Sequence, residues 1–175
     1  MSTLSIARLP LDRATALAER VAAELTGFCD RMEVAGSIRR RRETCGDIDL
    51  VCVPKVGGRA AMIERCQRAA RLVKHGEQYA VFQLANGFQL DIWFAHGGGG
   101  DMFVPEPSNF GILLLARTGS AMHNVWLAQL AQTAGLHFNP HRGLLRRGAL
   151  IASAEEAEIF KALGLRFIPP EARER

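Results

Sequence analysis

Two acidic residues one position apart, Asp47 and Asp49, stand about ten residues after the dipeptide Gly36-Ser37. A third acid, Asp91, lies on a separate apolar stretch. The run Asp47-Ile48-Asp49-Leu50-Val51-Cys52-Val53 reads as a β-strand. Strand side chains alternate, so Asp47 and Asp49 share one face while Ile48 and Leu50 share the other. Carboxylates held together on a rigid strand repel unless a divalent cation lies between them. A Gly-Ser turn between a strand and a short helix offers backbone N–H groups, a hydroxyl and a positive helix end to a phosphate. Either feature alone is commonplace. Together they point to a triphosphate and a metal, and so to nucleotidyl transfer.

Magnesium takes near-octahedral oxygen ligands, commonly a few carboxylates completed by substrate phosphates. With two ions, one activates the attacking hydroxyl and the other steadies the leaving pyrophosphate. The attacking side needs a third acid. Asp91, amid Phe88, Leu90, Ile92 and Trp93, is the candidate, its alternative being a solvent-facing strand residue. Four arginines follow the Gly-Ser turn. Arg39 and Arg40 are placed to grip β- and γ-phosphates, whereas Arg41 and Arg42 read as a solvated face. Glu43 either orients one of these arginines or faces solvent. His137 and His141 are separated by Pro140, which argues against a helical zinc pair. Cys29, Cys45, Cys52 and Cys66 form no C-x-x-C pair and fit reduced, mostly buried thiols.

These residues need a scaffold of mixed type. Leu11 to about Cys29 reads as an amphipathic helix, with Leu17, Val21 and Leu25 at four-residue steps beside Ala14, Ala18 and Ala22. Met32–Ala35 is a short strand entering the Gly36-Ser37 turn, and Asp47–Val53 is a second, ended by Pro54. Gly57-Gly58 opens a helix expected to reach about Lys74. Tyr79–Ala85 and Phe88–Ala95 are strands joined at Asn86-Gly87, read as a type I′ turn with positive φ at both positions. Gly97–Gly100 marks a loop. Asn109–Arg117 and Ala121–Ala134 are helices broken at Thr118-Gly119-Ser120. Short apolar pieces (Leu136–Phe138, Leu144-Leu145, Leu150-Ile151) and a helix from about Glu155 to Leu163 complete the chain.

Gly36-Ser37-x-Arg39-Arg40-x-x-Glu43-x-x-Gly46-Asp47-x-Asp49 resembles the palm motif of family X DNA polymerases, the group containing DNA polymerase beta. Phe110-Gly111 and Thr118-Gly119-Ser120-x-x-His123-Asn124 are similar to that family's nucleotide-binding segment, most closely its bacterial form. Gly135-Leu136, Asn139 and Leu163-Gly164-Leu165-x-x-Ile168-Pro169-Pro170-Glu171 extend the likeness over nearly the whole chain. The resemblance implies an α+β fold: a nucleotidyltransferase palm (1–100), a mixed sheet with flanking helices, then a small helical C-terminal nucleotide-binding subdomain with short strands (101–175). It implies that Asp47 and Asp49 ligate two Mg²⁺ ions, with Asp91 on the catalytic one, and that Mn²⁺ can substitute. Gly36, Ser37, Arg40 and Gly46 would contact the triphosphate. Gly119 and Ser120 would shape the nucleotide pocket in a strained turn. Asn124 would reach the minor-groove edge of the nucleotide, its alternative being a helix-surface amide.

The implied activity is DNA-directed DNA synthesis from dNTPs at a primer 3′-hydroxyl, on primer–template or gapped DNA, in short-gap repair. The alternatives are nucleotidyl transfer to RNA ends, a small molecule or a protein, template-independent terminal transfer, and a degenerate module that only binds nucleic acid or nucleotide. This chain departs from the family at Ala116-Arg117, where the family has Tyr-Phe against the sugar, and at Ala128, where polymerase beta has a template-sensing arginine. The layout looks like the minimal form known from a viral member.

A net charge of +4 and a pI near 9.2 favour a polyanionic partner. Backbone contacts would come from Arg59, Arg65, Arg68, Arg71 and Lys74, read as one helix face, or from Arg142, Arg146 and Arg147. At 175 residues with 48% apolar content the chain can build a real core. It has no run of 18 apolar residues, and so no membrane partner is expected. Met1–Pro10 lacks a signal-peptide core, so an intracellular, cytoplasmic protein is expected; a monomer is expected as well.

Overall fold

The computed structural model describes residues 8–100 and 105–174. Strand β1 (Leu9–Pro10) leads into α1 (Leu11–Leu25), a 3-10 turn (Thr26–Phe28), β2 (Cys29–Val34), α2 (Gly36–Arg39), β3 (Thr44–Cys45), β4 (Asp47–Pro54) and α3 (Gly58–Gln67). Next come β5 (Ala70–His75), β6 (Tyr79–Leu84), β7 (Gln89–Phe94) and two short paired strands, β8 (Gly99–Gly100) and β9 (Pro105–Glu106). The C-terminal half holds α4 (Phe110–Thr118), α5 (Ala121–Thr133), β10 (His137–Asn139), β11 (Gly143–Arg146), β12 (Ala149–Ala152) and α6 (Glu156–Ala162).

One five-stranded sheet, ordered β2-β4-β7-β6-β5, organises the first half. Only the β4–β7 pair is parallel; the other three pairs are antiparallel. The alternation read from sequence sorts its faces. Ile48, Leu50 and Cys52 point into a core shared with Phe82, Leu90 and Ile92, covered by Ala14, Ala18 and Leu25 of α1 and by Met62 of α3. Each large aliphatic or aromatic side chain buried there contributes about 1.5–3 kcal/mol relative to exposure. The opposite face carries Asp47 and Asp49 at one end and Val51 and Val53 at the other.

Helix α4 covers that second end. Leu113 and Leu114 pack on Val51 and Val53, while Ile112 and Leu115 face a separate core with Leu127, Ala131, Ile159 and Phe160. A helix buried on nearly every side reads as continuously apolar, as Ile112–Leu115 does. It locks the C-terminal layer onto the sheet beside the acids.

Several expectations change. The helix opened at Gly58 stops at Gln67, and Ala70–His75 is an edge strand paired with β6. Ala70 and Val73, three apart, fit a helix, but in the strand Ala70 and Leu72 pack on the core and Val73 is exposed; the free edge of β6 takes the segment. Helix α1 ends at Leu25, four residues early, so that Cys29 begins β2. In the β6–β7 hairpin only Gly87 has positive φ (+81°). Gly87 N–H donates to Leu84 C=O and Leu84 N–H to Phe88 C=O, so the connection is a turn closed by a glycine bulge, not type I′. The Gly97–Gly100 loop ends in β8. Of the N-terminal reading, residues 1–7 lie outside the described residues. No described helix is long and apolar enough to cross a membrane.

Candidate active site

Parallel pairing of β4 with β7 sets Asp49 opposite Asp91 and Asp47 opposite Gln89. Neighbouring strands lie about 4.8 Å apart, so the three acids occupy one corner of the sheet face. Beside them the chain turns through Ala35, whose N–H donates to the Asp49 carbonyl at 2.8 Å, into α2. Gly36 has φ +61°, and a Cβ there would stand 2.1 Å from Asp49 Oδ2. No other residue lets the Gly-Ser turn come this close to the carboxylate. Among the described residues, Ser37 Oγ is buried without a hydrogen-bond partner.

The acids are held against their charge. Burial, then repulsion from Asp47 and Asp91, pushes Asp49 up to about 7, opposed by the Trp93 hydrogen bond and Arg117. Burial also raises Asp47, against the pull of Arg8 and Arg40. Asp91 is raised by burial and by Asp47, while its bond from Gln89, Lys74 and Arg117 act in the other direction. No ion pair within the described residues neutralises any of the three.

This donor set, all hard oxygen, suits magnesium, whose remaining ligands come from phosphate and water. In the arrangement seen, no three acidic, histidine or cysteine side chains among the described residues converge on one metal position. The reason is visible: Asp49 Oδ1 accepts from the Trp93 indole at 3.2 Å and Asp91 Oδ1 from Gln89 Nε2 at 2.8 Å.

A cleft of about 830 Å³ opens over this corner, lined by Ser37, Gly46 and Asp47 on one side and by Arg8, Arg40, Arg42 and Arg71 around them. Its rim is basic, and Asp47 is the acid of the corner that reaches its lining, a setting that suits an anion bridged by a cation. A second hollow, about 470 Å³, lies under α1 and is largely aliphatic.

The second motif meets the first through Arg40. Its Nη1 donates to the Thr118 carbonyl and its Nε to Glu174 Oε1 at 2.6 Å. Gly119 then leaves α4, joined to Ser120 by a cis peptide bond. Ser120 caps α5, its Oγ accepting from His123 N–H at 3.3 Å. Asn124 Nδ2 donates to Ala116 C=O at 2.7 Å, and its Oδ1 is buried without a partner among the described residues. The amide lies half-buried against the end of α4.

Arg39, expected to face phosphate, does something else. It clasps Glu156 of α6 through two bonds of 2.8 Å and also donates to Thr118 Oγ1. The fully buried Arg173 adds a bond to Glu156 Oε1 at 2.6 Å. Glu156 is accordingly lowered, because these guanidinium bonds outweigh its burial. Glu43 is exposed. Arg71 and Lys74 leave the expected helix face for β5, while Arg65 and Arg68 are taken up by Glu24 and Glu64. Arg142, Arg146 and Arg147 are exposed. All four cysteines are buried thiols.

Two side chains join the site in ways the sequence reading does not include: Trp93, and Arg117, which it names only as a departure from the family's sugar-facing pair. Trp93 lies two positions after Asp91, hence on the same face, a signal that was available. Arg117 stacks on the Trp93 ring with Cζ 3.4 Å from its centroid, a contact no local pattern announces.

The family model for the DNA polymerase beta palm matches residues 8–86, and that for the DNA polymerase beta thumb matches residues 113–174. DNA polymerase lambda of Rattus norvegicus is 27% identical over 189 residues, covering 95% of this chain and 33% of that protein. DNA polymerase/3'-5' exonuclease PolX of Bacillus subtilis (strain 168) is 24% identical over 172 residues, covering 95% of this chain and 29% of the other. The chain thus spans about a third of the length of the curated relatives it matches. Leishmania infantum polymerase beta, solved as a ternary P/T complex, shares the fold with a TM-score of 0.77 at 16% identity, covering 100% of this chain and 84% of that one. With a palm and a thumb matched in order along it, the chain belongs to the DNA polymerase beta family, family X.

Proposed function

We propose that the protein is a DNA polymerase that adds nucleoside monophosphates from dNTPs to a primer 3′-hydroxyl, on primer–template or gapped DNA in short-gap repair. The observation that carries this is the in-register pair Asp49 and Asp91 on parallel strands, with Asp47 beside them and Gly36-Ser37 packed against Asp49. The orphaned Ser37 hydroxyl and the Arg40 guanidinium face the cleft where a triphosphate tail would lie. In the reaction the 3′-oxygen bonds to the α-phosphorus and the bond to the bridging oxygen breaks, releasing pyrophosphate.

Asp47 and Asp49 would hold two Mg²⁺ ions and Asp91 the one nearest the 3′-hydroxyl, Mn²⁺ substituting. Bound metal would supply charge neutralisation and a more acidic hydroxyl. The chain's own contribution is positioning: β4 and β7 fix the acids, Gly36, Ser37, Arg40 and Gly46 orient phosphate, and Gly119, Ser120 and Asn124 border the nucleoside. The proposed division is a palm at 1–100 and a C-terminal nucleotide-binding subdomain at 101–175, acting as a cytoplasmic monomer.

Extension of a labelled primer by the purified chain, with magnesium and each dNTP, tests this. Gapped, recessed and template-free substrates with deoxy- and ribonucleotides define the acceptor and the sugar. Nucleotide transfer to RNA or protein without primer extension would overturn the polymerase assignment.

A further inference from the structure

Arg117 occupies an unusual position for a cation at the end of a buried helix. Its guanidinium carbon sits 3.4 Å from the centroid of the Trp93 indole, while the N–H of that same indole donates to Asp49 Oδ1. Trp93 pairs with Val51 on β4, two residues beyond the Asp49–Asp91 pair, so the ring bridges cation and carboxylates on one sheet face. Among the described residues Arg117 makes no direct ion pair with an acid, and its Nε is buried without a hydrogen-bond partner. Burying an unpaired guanidinium nitrogen is costly, and stacking on an aromatic face offsets only part of that cost.

The surrounding charges show what it serves. Asp47 is influenced by Arg8 and Arg40, and Asp91 by Lys74 as well as Arg117. Arg117 is the cation acting on Asp49; on its other side lies His141, which burial and then Arg117 lower, and the His141 carbonyl accepts from Asn109 Nδ2 at 2.7 Å. The next residue, Thr118, is clasped by Arg39 and Arg40, so the guanidinium is anchored to the joint between the two motifs.

We propose that Arg117 is a resident counter-cation of the carboxylate corner: stacked on Trp93, it partly neutralises Asp49 and Asp91 and thereby weakens the binding of a divalent ion. It is a positioning residue rather than a ligand, and the inference rests on the acids being the metal site. Removing its charge raises the affinity of the corner for a free divalent ion. A merely structural role in stacking would leave that affinity unchanged.

The test is titration of the full chain with Mn²⁺ alone, without nucleotide, by calorimetry or electron paramagnetic resonance at mildly alkaline pH. Arg117→Gln is expected to bind Mn²⁺ about fivefold tighter than wild type, and Arg117→Lys within about twofold of it, the difference shrinking at high salt. Arg117→Met, which keeps an aliphatic stem over the ring, substitutes if the glutamine variant melts early. Equal or weaker binding by the uncharged variants, or lysine behaving like glutamine, would overturn the inference. Asp49→Asn, at a residue assigned to both ions, separates the two levels: it should abolish wild-type Mn²⁺ binding. If it does not, or if wild type binds none, the metal site itself is misassigned and the role of Arg117 falls with it.

Discussion

Asp49 and Glu156 are both carboxylates drawn into the protein beside an arginine-rich segment, and they are treated in opposite ways. Glu156, 6% exposed, is clasped by Arg39 and Arg173 and titrates below its ordinary range. Asp49 receives an indole N–H and two like charges as neighbours, and is pushed up to about 7. The first arrangement is complete in itself and ties α2 to α6. The second is complete only with something positive added. A satisfied carboxylate holds elements together, and an unsatisfied one marks a candidate ligand site.

The largest effect should fall on the unsatisfied side. Asp91→Ala or Asp49→Asn is expected to cut primer extension by about a thousandfold while leaving the melting temperature level or raised. Extension at wild-type rate in both would dissolve the contrast. Glu156→Gln should do the reverse: it strands two guanidinium groups and costs about 3–5 kcal/mol in urea unfolding. A variant as stable as wild type would show that the cluster holds nothing.

Gly36→Ala tests the contact between turn and acid. A methyl group aimed at Asp49 Oδ2 on a left-handed backbone should cost about 2–3 kcal/mol, together with most of the activity.

The two carboxylates also part company with pH. The folded protein keeps a proton on Asp49 that the unfolded chain releases near 3.8, so this group makes stability fall as pH rises from there to about 7. Glu156, depressed, contributes stability above its ordinary value of 4.5 that is lost as pH falls through its folded pKa. Asp49→Asn should therefore lack part of the wild-type slope and be more stable above neutrality by on the order of 2 kcal/mol. Denaturant titrations across pH that superimpose for the two proteins would contradict this sign.

The smallest effect belongs to Arg31 and Glu155, which pair beside Glu156 but are 40% and 50% exposed. Glu155→Ala should cost under about 1 kcal/mol by urea unfolding. A loss as large as that of Glu156→Gln would mean that exposure is not what separates the two pairs.

Much of the site was legible because strand geometry is local. The period of two put Asp47 and Asp49 on one face, and the hairpin around Gly87 brought Asp91 onto its own strand. The hairpin was read correctly although its turn type was not, since Gly87 supplies positive φ in either. Ala70–His75 was misread because a five- or six-residue stretch does not distinguish the two periods without knowing that β6 has a free edge. Arg39 was read as phosphate-binding because its partner Glu156 is 117 residues away.

The sequence by itself determined which residue types could bind metal and phosphate, the faces they occupy and the family pattern they form. These follow from dihedral periods and side-chain chemistry within a few positions. Only the tertiary structure decided which arginine is structural and which lines the cleft, that Trp93 and Arg117 belong to the acid corner, and how far Asp49 is displaced from its ordinary pKa. Those outcomes depend on desolvation and on charges brought together from distant parts of the chain, which no local pattern encodes.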